Sequence, residues 1–474
     1  MQFDAFTFIV FFALVLGAFN ALRGWGARKW LLLAASYIFY AGWNPPFVLL
    51  LIASTTVDWW VALRIDRTKS SSSRRLWVTA TLLVNLTVLG YFKYSGFLLG
   101  MLAQGLARIG IVYHPPELDI ILPIGISFYT FHSLSYCLDV YRRKLAPTRN
   151  WRDYALYVGF FPQLVAGPIV RWTQMGYQIE TPRKTSAAGL GLGLALLTLG
   201  LFEKVVLADD VFAPVADALF NHGSASGVAG SWAGAIAFSG QIFCDFAGYS
   251  TCAIGAAMCL GFALPINFRN PYAAAGFSDF WRRWHISLST WLRDYLYISL
   301  GGNREGAGKT FRNIMMTMLI GGLWHGAAWT FVAWGGLHGL FLVAERGARE
   351  RIDAASFLRA PAWMPFWRLL TLLAVVYAWV WFRAPDFATG WMVTQHMVAL
   401  GDEHGPIDSI GFEQQLAVIV FFGLVVVHWL FRNIDPIGWL QRIPLPALSL
   451  LLAVMAALIV LSPGETHAFI YFQF

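Results

Sequence analysis

The sequence predicts an all-α polytopic membrane protein, and three observations carry that prediction. Of 474 residues, 58% are hydrophobic and 13% charged, a balance well outside that of soluble domains. Apolar runs near the ~20 residues that a helix needs to cross a bilayer recur along the chain, broken by short polar or Pro/Gly loops. The basic residues collect between those runs, at Arg64–Arg75, Tyr141–Arg152, Trp281–Tyr295 and Arg304–Arg312, where the positive-inside rule makes them cytoplasmic loops. The formal charge of +8 therefore reports topology and is no nucleic-acid footprint.

Phe6–Leu22 is the first apolar run. The residues before it, "MQFD", carry Asp4 rather than a basic cluster, and no small-residue cleavage site follows, so a span is expected rather than a cleaved leader. Arg23, Arg28 and Lys29 put its far end in the cytoplasm, "NPP" at Asn44–Pro46 turns the chain back outside, and Arg64–Arg75 returns it to the inside. Hydropathy places spans near 5–22, 30–43, 47–63, 76–94, 97–113, 120–140, 152–170, 187–208, 231–262, 311–343, 366–383, 413–431 and 444–462. Beyond Gly96 the alternation of sides is not fixed, because runs there can be re-entrant or interfacial. The runs at 231–262 and 311–343 are about one and a half times a single crossing, so each is expected to tilt or break. Broken helices inside a bilayer persist only where protein or a water-filled cavity surrounds them, which points to an internal tunnel. No long linker and no internal repeat divides the chain, so residues 1–474 read as one integral domain.

The chemistry concentrates in a few places. His325 sits in "GGLWHGAAWTFVAWGGLHG" (Gly321–Gly339), which has no charged side chain. A titratable group in a bilayer faces the bundle interior and is a functional candidate, although a neutral imidazole bridging two helices explains it equally well. Gly321, Gly322 and Gly326 tilt the balance toward function, because they strip side chains from one face and let a backbone or ligand approach. His338, thirteen residues on, reads as structural or a helper. His285 lies in "FSDFWRRWHISLSTWLRDYLYISLGGNREG", whose alternation of aromatic and basic residues predicts an amphipathic interfacial helix. That helix is either an anchor or a basic rim in which Arg282, Arg283 and Arg293 bind the phosphates of a nucleotide-bearing donor.

Asp245 in "FCDFAGYSTCAIG" is a carboxylate inside an apolar run, suited to pair with a histidine or arginine or to satisfy a broken helix end. We read Asp245 and Asn303 as supporting residues. "GGNREGAGKT" imitates a phosphate-binding loop but places Asn303 where the pattern needs glycine, and no buried strand precedes it. No HExxH or GxSxG pattern appears, no metal site is expected, and Cys137, Cys244, Cys252 and Cys259 read as small core residues. The final "FIYFQF" reads, on composition, as an interface anchor.

Six ordered segments, "PIGISFYTFHSLSYCLDVYR", "FFPQLVAGPIVRW", "DFAGYSTCAIG", "LPINFRNPY", "FWRRWHISLSTWLRDYLYISLGGNR" and "GGLWHGAAWTFVAWGGLHG", resemble the bacterial branch of the membrane-bound O-acyltransferases (MBOAT). They run from about residue 120 to 340. The resemblance implies a ring of roughly 11 to 14 tilted and broken transmembrane helices around a central tunnel, in a multi-pass protein of the bacterial inner membrane. It implies that His325 is the family's invariant histidine, that His285 is its second polar position, and that an acyl group moves from a cytoplasmic thioester to a hydroxyl. Acetyl coenzyme A is then the expected donor, with no permanently bound cofactor. Membrane lipids, a periplasmic acyltransferase resembling SGNH hydrolases and a polysaccharide export complex are the expected partners.

On that resemblance, a neutral His325 takes the hydroxyl proton while His285 or a helix amide orients it or stabilises the oxyanion. Phe469, Tyr471 and Phe474 reproduce the F-x-Y-x-x-F spacing of a small partner in teichoic acid D-alanylation, which makes Tyr471 a candidate acyl acceptor. D-alanyl or another acyl transfer to an envelope glycan is the alternative chemistry. A transporter of acyl or lipid-linked substrates would show similar hydropathy. A pure scaffold is disfavoured by the embedded His and Asp.

Overall fold

The computed structural model describes residues 1–116, 118–221, 227–354, 361–400, 410–462 and 469–470, the side chains of 349–354, 361 and 436 excluded. Among these residues all regular secondary structure is helical, and the chain is a multi-pass membrane protein. Six helices are long and apolar enough to cross a bilayer: Pro46–Arg67, Ser71–Arg108, Ala187–Asn221, Val228–Cys259, Met364–Arg383 and Phe412–Leu430. Phe6–Ala21 and Leu445–Leu461 are shorter apolar helices. The chain divides into two compact units, Met1–Leu194 with Ala253–Pro265, and Ala195–Cys252 with Ile266–Phe474.

In the first unit, the runs at 76–94 and 97–113 do not form two spans. They belong to one 38-residue helix, Ser71–Arg108, about 57 Å long at ~1.5 Å per residue. Gly90, Gly96, Gly100 and Gly105 mark no turn, and each has open space where a side chain would stand. In an apolar medium the cheapest way to satisfy their backbone groups is to continue the helix. The buried polar groups of this unit close on near neighbours. Asp58 accepts hydrogen bonds from Thr81 and Asn85, and Lys29 meets Asp153 at 2.7 Å.

In the second unit, Ala187–Asn221 changes to π-helical winding at Phe202–Phe212. Hydrogen bonds there run from residue i to i+5, so residues five apart stand above one another. Lys204 and Asp209 do so, at 2.8 Å. Gly200 lies against Gly248 of the Val228–Cys259 helix so closely that a Cβ on Gly200 would come within 2.5 Å of the Gly248 carbonyl oxygen. That backbone-to-backbone approach brings the side chains of the next turns together.

The two long runs resolve differently. Val228–Cys259 stays unbroken over 32 residues. The second breaks at Gly326 into a hairpin of Ala307–His325 and Trp329–Ala354. Gly322 faces Phe331 and Gly335, Met318 faces Gly335, and Met315 faces Gly339, so the arms are antiparallel. A Cβ on Gly322 would stand 2.3 Å from the Phe331 carbonyl oxygen, which is why this face is glycine. Trp334 of the second arm stacks on Trp379 at 5.6 Å, within a core that also holds Phe331 and Phe382. All four cysteines are buried and free.

The amphipathic helix expected over Phe280–Tyr295 is not continuous. Phe277–Trp281 ends, and a new helix begins at Ile286 and becomes π-helical at Leu292–Tyr297. Between them His285 takes φ 42°, the left-handed region that non-glycine residues rarely occupy. The turn persists because Asn267, eighteen residues earlier, holds both His285 and the first turn after it.

Candidate functional site

His325 is the last residue of the hairpin's first arm and is 4% exposed. Its ring is enclosed by Trp324, Trp334 and Phe382, with centroids at 4.9, 5.1 and 5.3 Å. Two features of the sequence produce this setting. The glycine face lets the arms close, and Gly326 breaks the helix with no room for a side chain, since a Cβ there would come within 2.0 Å of the Phe331 ring. The negative end of the helix dipole favours a cation at a C-terminal histidine by about 0.3–1 kcal/mol. It would stabilise an imidazolium formed when His325 takes a proton.

His285 is fully buried, and its ring centre lies 6.4 Å from that of His325. The structure thus brings together two histidines forty residues apart in sequence. The tautomer of His285 follows from its neighbours. The Oδ1 of Asn267 accepts the Ser287 backbone N–H at 3.2 Å, and a backbone N–H can only donate, so the amide orientation is fixed. The same oxygen lies 3.1 Å from His285 Nδ1, which must then carry the hydrogen. Nε2 is left as the lone-pair nitrogen, buried and without a hydrogen-bond partner among the described residues. His285 therefore presents an acceptor to the site and has no spare N–H for an oxyanion. Burial pushes this imidazole down to about 3, so it stays neutral at physiological pH. Asn267 is itself steadied by Nδ2 donating to Ser250 Oγ at 3.2 Å.

His338 does not reach His325. Its ring lies among Phe280, Trp281 and Trp334, and the Trp334 ring touches both histidines. Asp245 meets Lys204 Nζ at 2.7 Å, and its other oxygen accepts the Ile470 N–H at 2.7 Å. The partner of Asp245 is thus a lysine, not a histidine or arginine. The adjacent Phe246 lies edge-on to His285 at 4.6 Å and touches Phe469 at 5.9 Å. Tyr471 lies outside the described residues, as does Phe474.

The three arginines have separate fates. Arg283 is buried, bonded to Asp279 at 3.0 Å and to the Arg432 carbonyl at 2.7 Å, so it braces the fold and is not free for phosphate. Arg282 and Arg293 are exposed, and Arg293 lines a cavity of about 530 Å³ with Ser278, Trp281, Ser289, Tyr297 and Arg346. Trp281 joins that cavity through the Trp334 ring to the surroundings of His325. Asn303 is exposed on the 301–306 loop. That loop is held by Asn313, which donates to the carbonyls of Leu300 and Gly302.

Sequence reasoning missed Asn267 and Lys204. Asn267 stood in the quoted "LPINFRNPY" with no role attached. Lys204 could have been found as a lysine within the apolar run "GLFEKVVLADD". No group of three or more His, Cys, Asp or Glu suited to a metal exists among the described residues.

Residues 148–382 match the family model of the membrane-bound O-acyltransferases. A probable alginate O-acetylase of Azotobacter vinelandii is 38% identical over 490 residues, covering 94% of this chain and 95% of that protein. One from Pseudomonas putida is 37% identical, with 100% of both chains covered. A peptidoglycan O-acetyltransferase of Helicobacter pylori is 37% identical over 79% of this chain and 74% of its own length.

Proposed function

Because the chain belongs to the membrane-bound O-acyltransferase family, we propose that this O-acyltransferase takes an acetyl group from cytoplasmic acetyl coenzyme A and passes it through a tunnel in the inner membrane for O-acetylation of an exported polysaccharide such as alginate. The observation that carries the reading is His325, enclosed by aromatic rings at the break of a helical hairpin with the ring of a neutral His285 at 6.4 Å. The ring of helices around that tunnel is supported by the family resemblance and by the broken hairpin.

His325 acts as the general base. It removes the acceptor hydroxyl proton as the oxygen attacks the thioester carbonyl. The C–S bond then breaks, and the imidazolium returns the proton to the departing thiolate, so no further reactant is needed. General-base catalysis of this kind contributes about 10²–10⁴-fold. The single hydroxyl proton goes to His325, and His285, held by Asn267, orients the His325 ring. The oxyanion is left to a backbone amide. The cavity beside Arg293 and Arg346 receives the pantetheine arm of coenzyme A, with these two arginines near its phosphates.

Tyr471 accepts the acetyl group as a phenyl ester, and a periplasmic acyltransferase partner relays it to the polymer within an export complex. A phenol leaves more readily than a sugar alcohol, so the ester is poised for the second transfer. The docking of Phe469 and Ile470 beside Phe246 and Asp245 supports this role, since Tyr471 is the next residue in sequence. Peptidoglycan is the second acceptor reading, favoured by the Helicobacter pylori relative. D-alanyl transfer is the third.

The test supplies labelled acetyl coenzyme A to membranes with the periplasmic partner and either alginate or peptidoglycan. Label should appear on the protein and then on one polymer, with Tyr471→Phe abolishing both. Label on polymer with Tyr471→Phe unchanged would remove the carrier. Label from an acetylated carrier protein but not from coenzyme A would replace the donor.

A further inference from the structure

We propose that Asp245, held by Lys204, is a docking site for the chain segment around Ile470, and that it positions this segment beside His285. What is positioned, Tyr471, rests on the reading above. The docking itself does not.

The argument starts from two glycines. Gly200 and Gly248 let two apolar helices meet backbone to backbone, and the π-helical winding after Gly200 stacks Lys204 on Asp209. Lys204 Nζ then stands 2.8 Å from Asp209 and 2.7 Å from Asp245. One cation meets two carboxylates. The three side chains are buried, at 5, 6 and 2% exposure, and a buried carboxylate is stabilised by N–H donors.

The Ile470 amide supplies one, donating to Asp245 Oδ2 at 2.7 Å across 225 residues of sequence. The neighbouring Phe469 is 1% exposed, with its ring 4.7 Å from Tyr249 and 5.9 Å from Phe246. Upstream, the Ser462 hydroxyl donates to Asp210 in the same π-helical stretch. The segment after Leu445–Leu461 is therefore fastened at two points, and its second fastening lies one aromatic ring from His285. A backbone amide is the donor, so Asp245 holds the chain at Ile470 by its main chain. The flanking Phe469 and Ile470 side chains fill apolar pockets.

Hydrogen–deuterium exchange on the full-length protein in lipid nanodiscs reads this docking through the peptide covering 462–474. The wild type is expected to exchange there at least tenfold slower than Asp245→Ala, with peptides from Pro46–Arg67 unchanged. Ile470→Pro removes the donor from the other side and leaves the ion cluster intact, so it decides the matter where Asp245→Ala fails to fold. Its remaining amides in 462–474 should also exchange at least tenfold faster than in the wild type. Equal exchange in wild type and Ile470→Pro, or an unprotected wild type, would overturn the proposal. Protection lost in Ile470→Pro with polymer acetylation unchanged would keep the docking site and overturn the carrier role of Tyr471.

Discussion

The region around His132 in the first unit and the region around His325 in the second each bury a histidine among aromatic rings, and they use it differently. His132 is 0% exposed and lies 5.7 Å from the Tyr157 ring, but its Nε2 lone pair accepts the Val170 backbone N–H at 3.2 Å. His428 likewise gives its Nδ1 lone pair to the Tyr272 N–H, at 3.4 Å. At His285 the arrangement is reversed. A distant asparagine takes the N–H, and the lone-pair nitrogen is left without a hydrogen-bond partner among the described residues, in a ring 6.4 Å from a second histidine at a helix break. Burial of an imidazole in this fold is thus no sign of chemistry. What separates the two regions is whether the backbone has already consumed the basic nitrogen.

The sharpest way to break this comparison is to remove one histidine from each region. His325→Ala is expected to lose about 10²–10⁴-fold in acetyl transfer, the range of a general base. His132→Gln should keep transfer within about twofold, because the loss of one buried hydrogen bond costs about 1–3 kcal/mol of stability and no catalysis. Assays of labelled acetyl at matched protein levels, with thermal unfolding of both variants, measure the contrast. Equal losses of activity would erase the distinction.

Asn267→Ala comes next. It frees the His285 ring to change tautomer while leaving both histidines in place, and about a tenfold fall in kcat is expected with KM for acetyl coenzyme A unchanged. A KM effect alone would place Asn267 in donor binding.

The acid limb of the pH–rate profile sharpens the comparison further. His285 is held near 3 by burial, so it takes up no second proton and stays uncharged between pH 5 and 8. In the unfolded chain the same group titrates near 6.5, so its contribution destabilises the fold as pH drops below that value and is absent above it. His285→Gln should therefore lower the plateau of the profile and leave its acid limb in place. A displaced limb would make His285 the titrating base. The smallest effect is expected at the cavity, where Arg293→Ala should raise KM for acetyl coenzyme A several-fold with kcat intact, while a changed kcat at constant KM would argue against donor binding there.

Much of this was legible in the sequence, for reasons tied to particular residues. His325 stood out because a histidine in a chargeless, glycine-bearing run has few explanations. Gly322 announced a close approach by a backbone or ligand, and the structure places the backbone of Phe331 and Gly335 there. The later apolar helices Met364–Arg383, Phe412–Leu430 and Leu445–Leu461 lie where hydropathy put them. Contacts between distant positions were not legible. The left-handed backbone at His285 depends on Asn267, and no periodicity in the aromatic and basic pattern marks it. The 38-residue helix Ser71–Arg108 hid behind glycines that look like a turn and act as ordinary helix positions. Of the polar residues singled out, Asn303 lies exposed on a loop, and Arg283 spends its donors on Asp279 and on backbone carbonyls.

The central claim is that His325 performs the proton transfer for acyl transfer. Single-turnover release of coenzyme A from acetyl coenzyme A, in purified protein with the periplasmic partner, tests it most directly. The account predicts a burst in the wild type and in His132→Gln, and a rate at least about 10²-fold slower in His325→Ala with the donor still bound. A burst of unchanged rate in folded His325→Ala would contradict it and move the base elsewhere in the site.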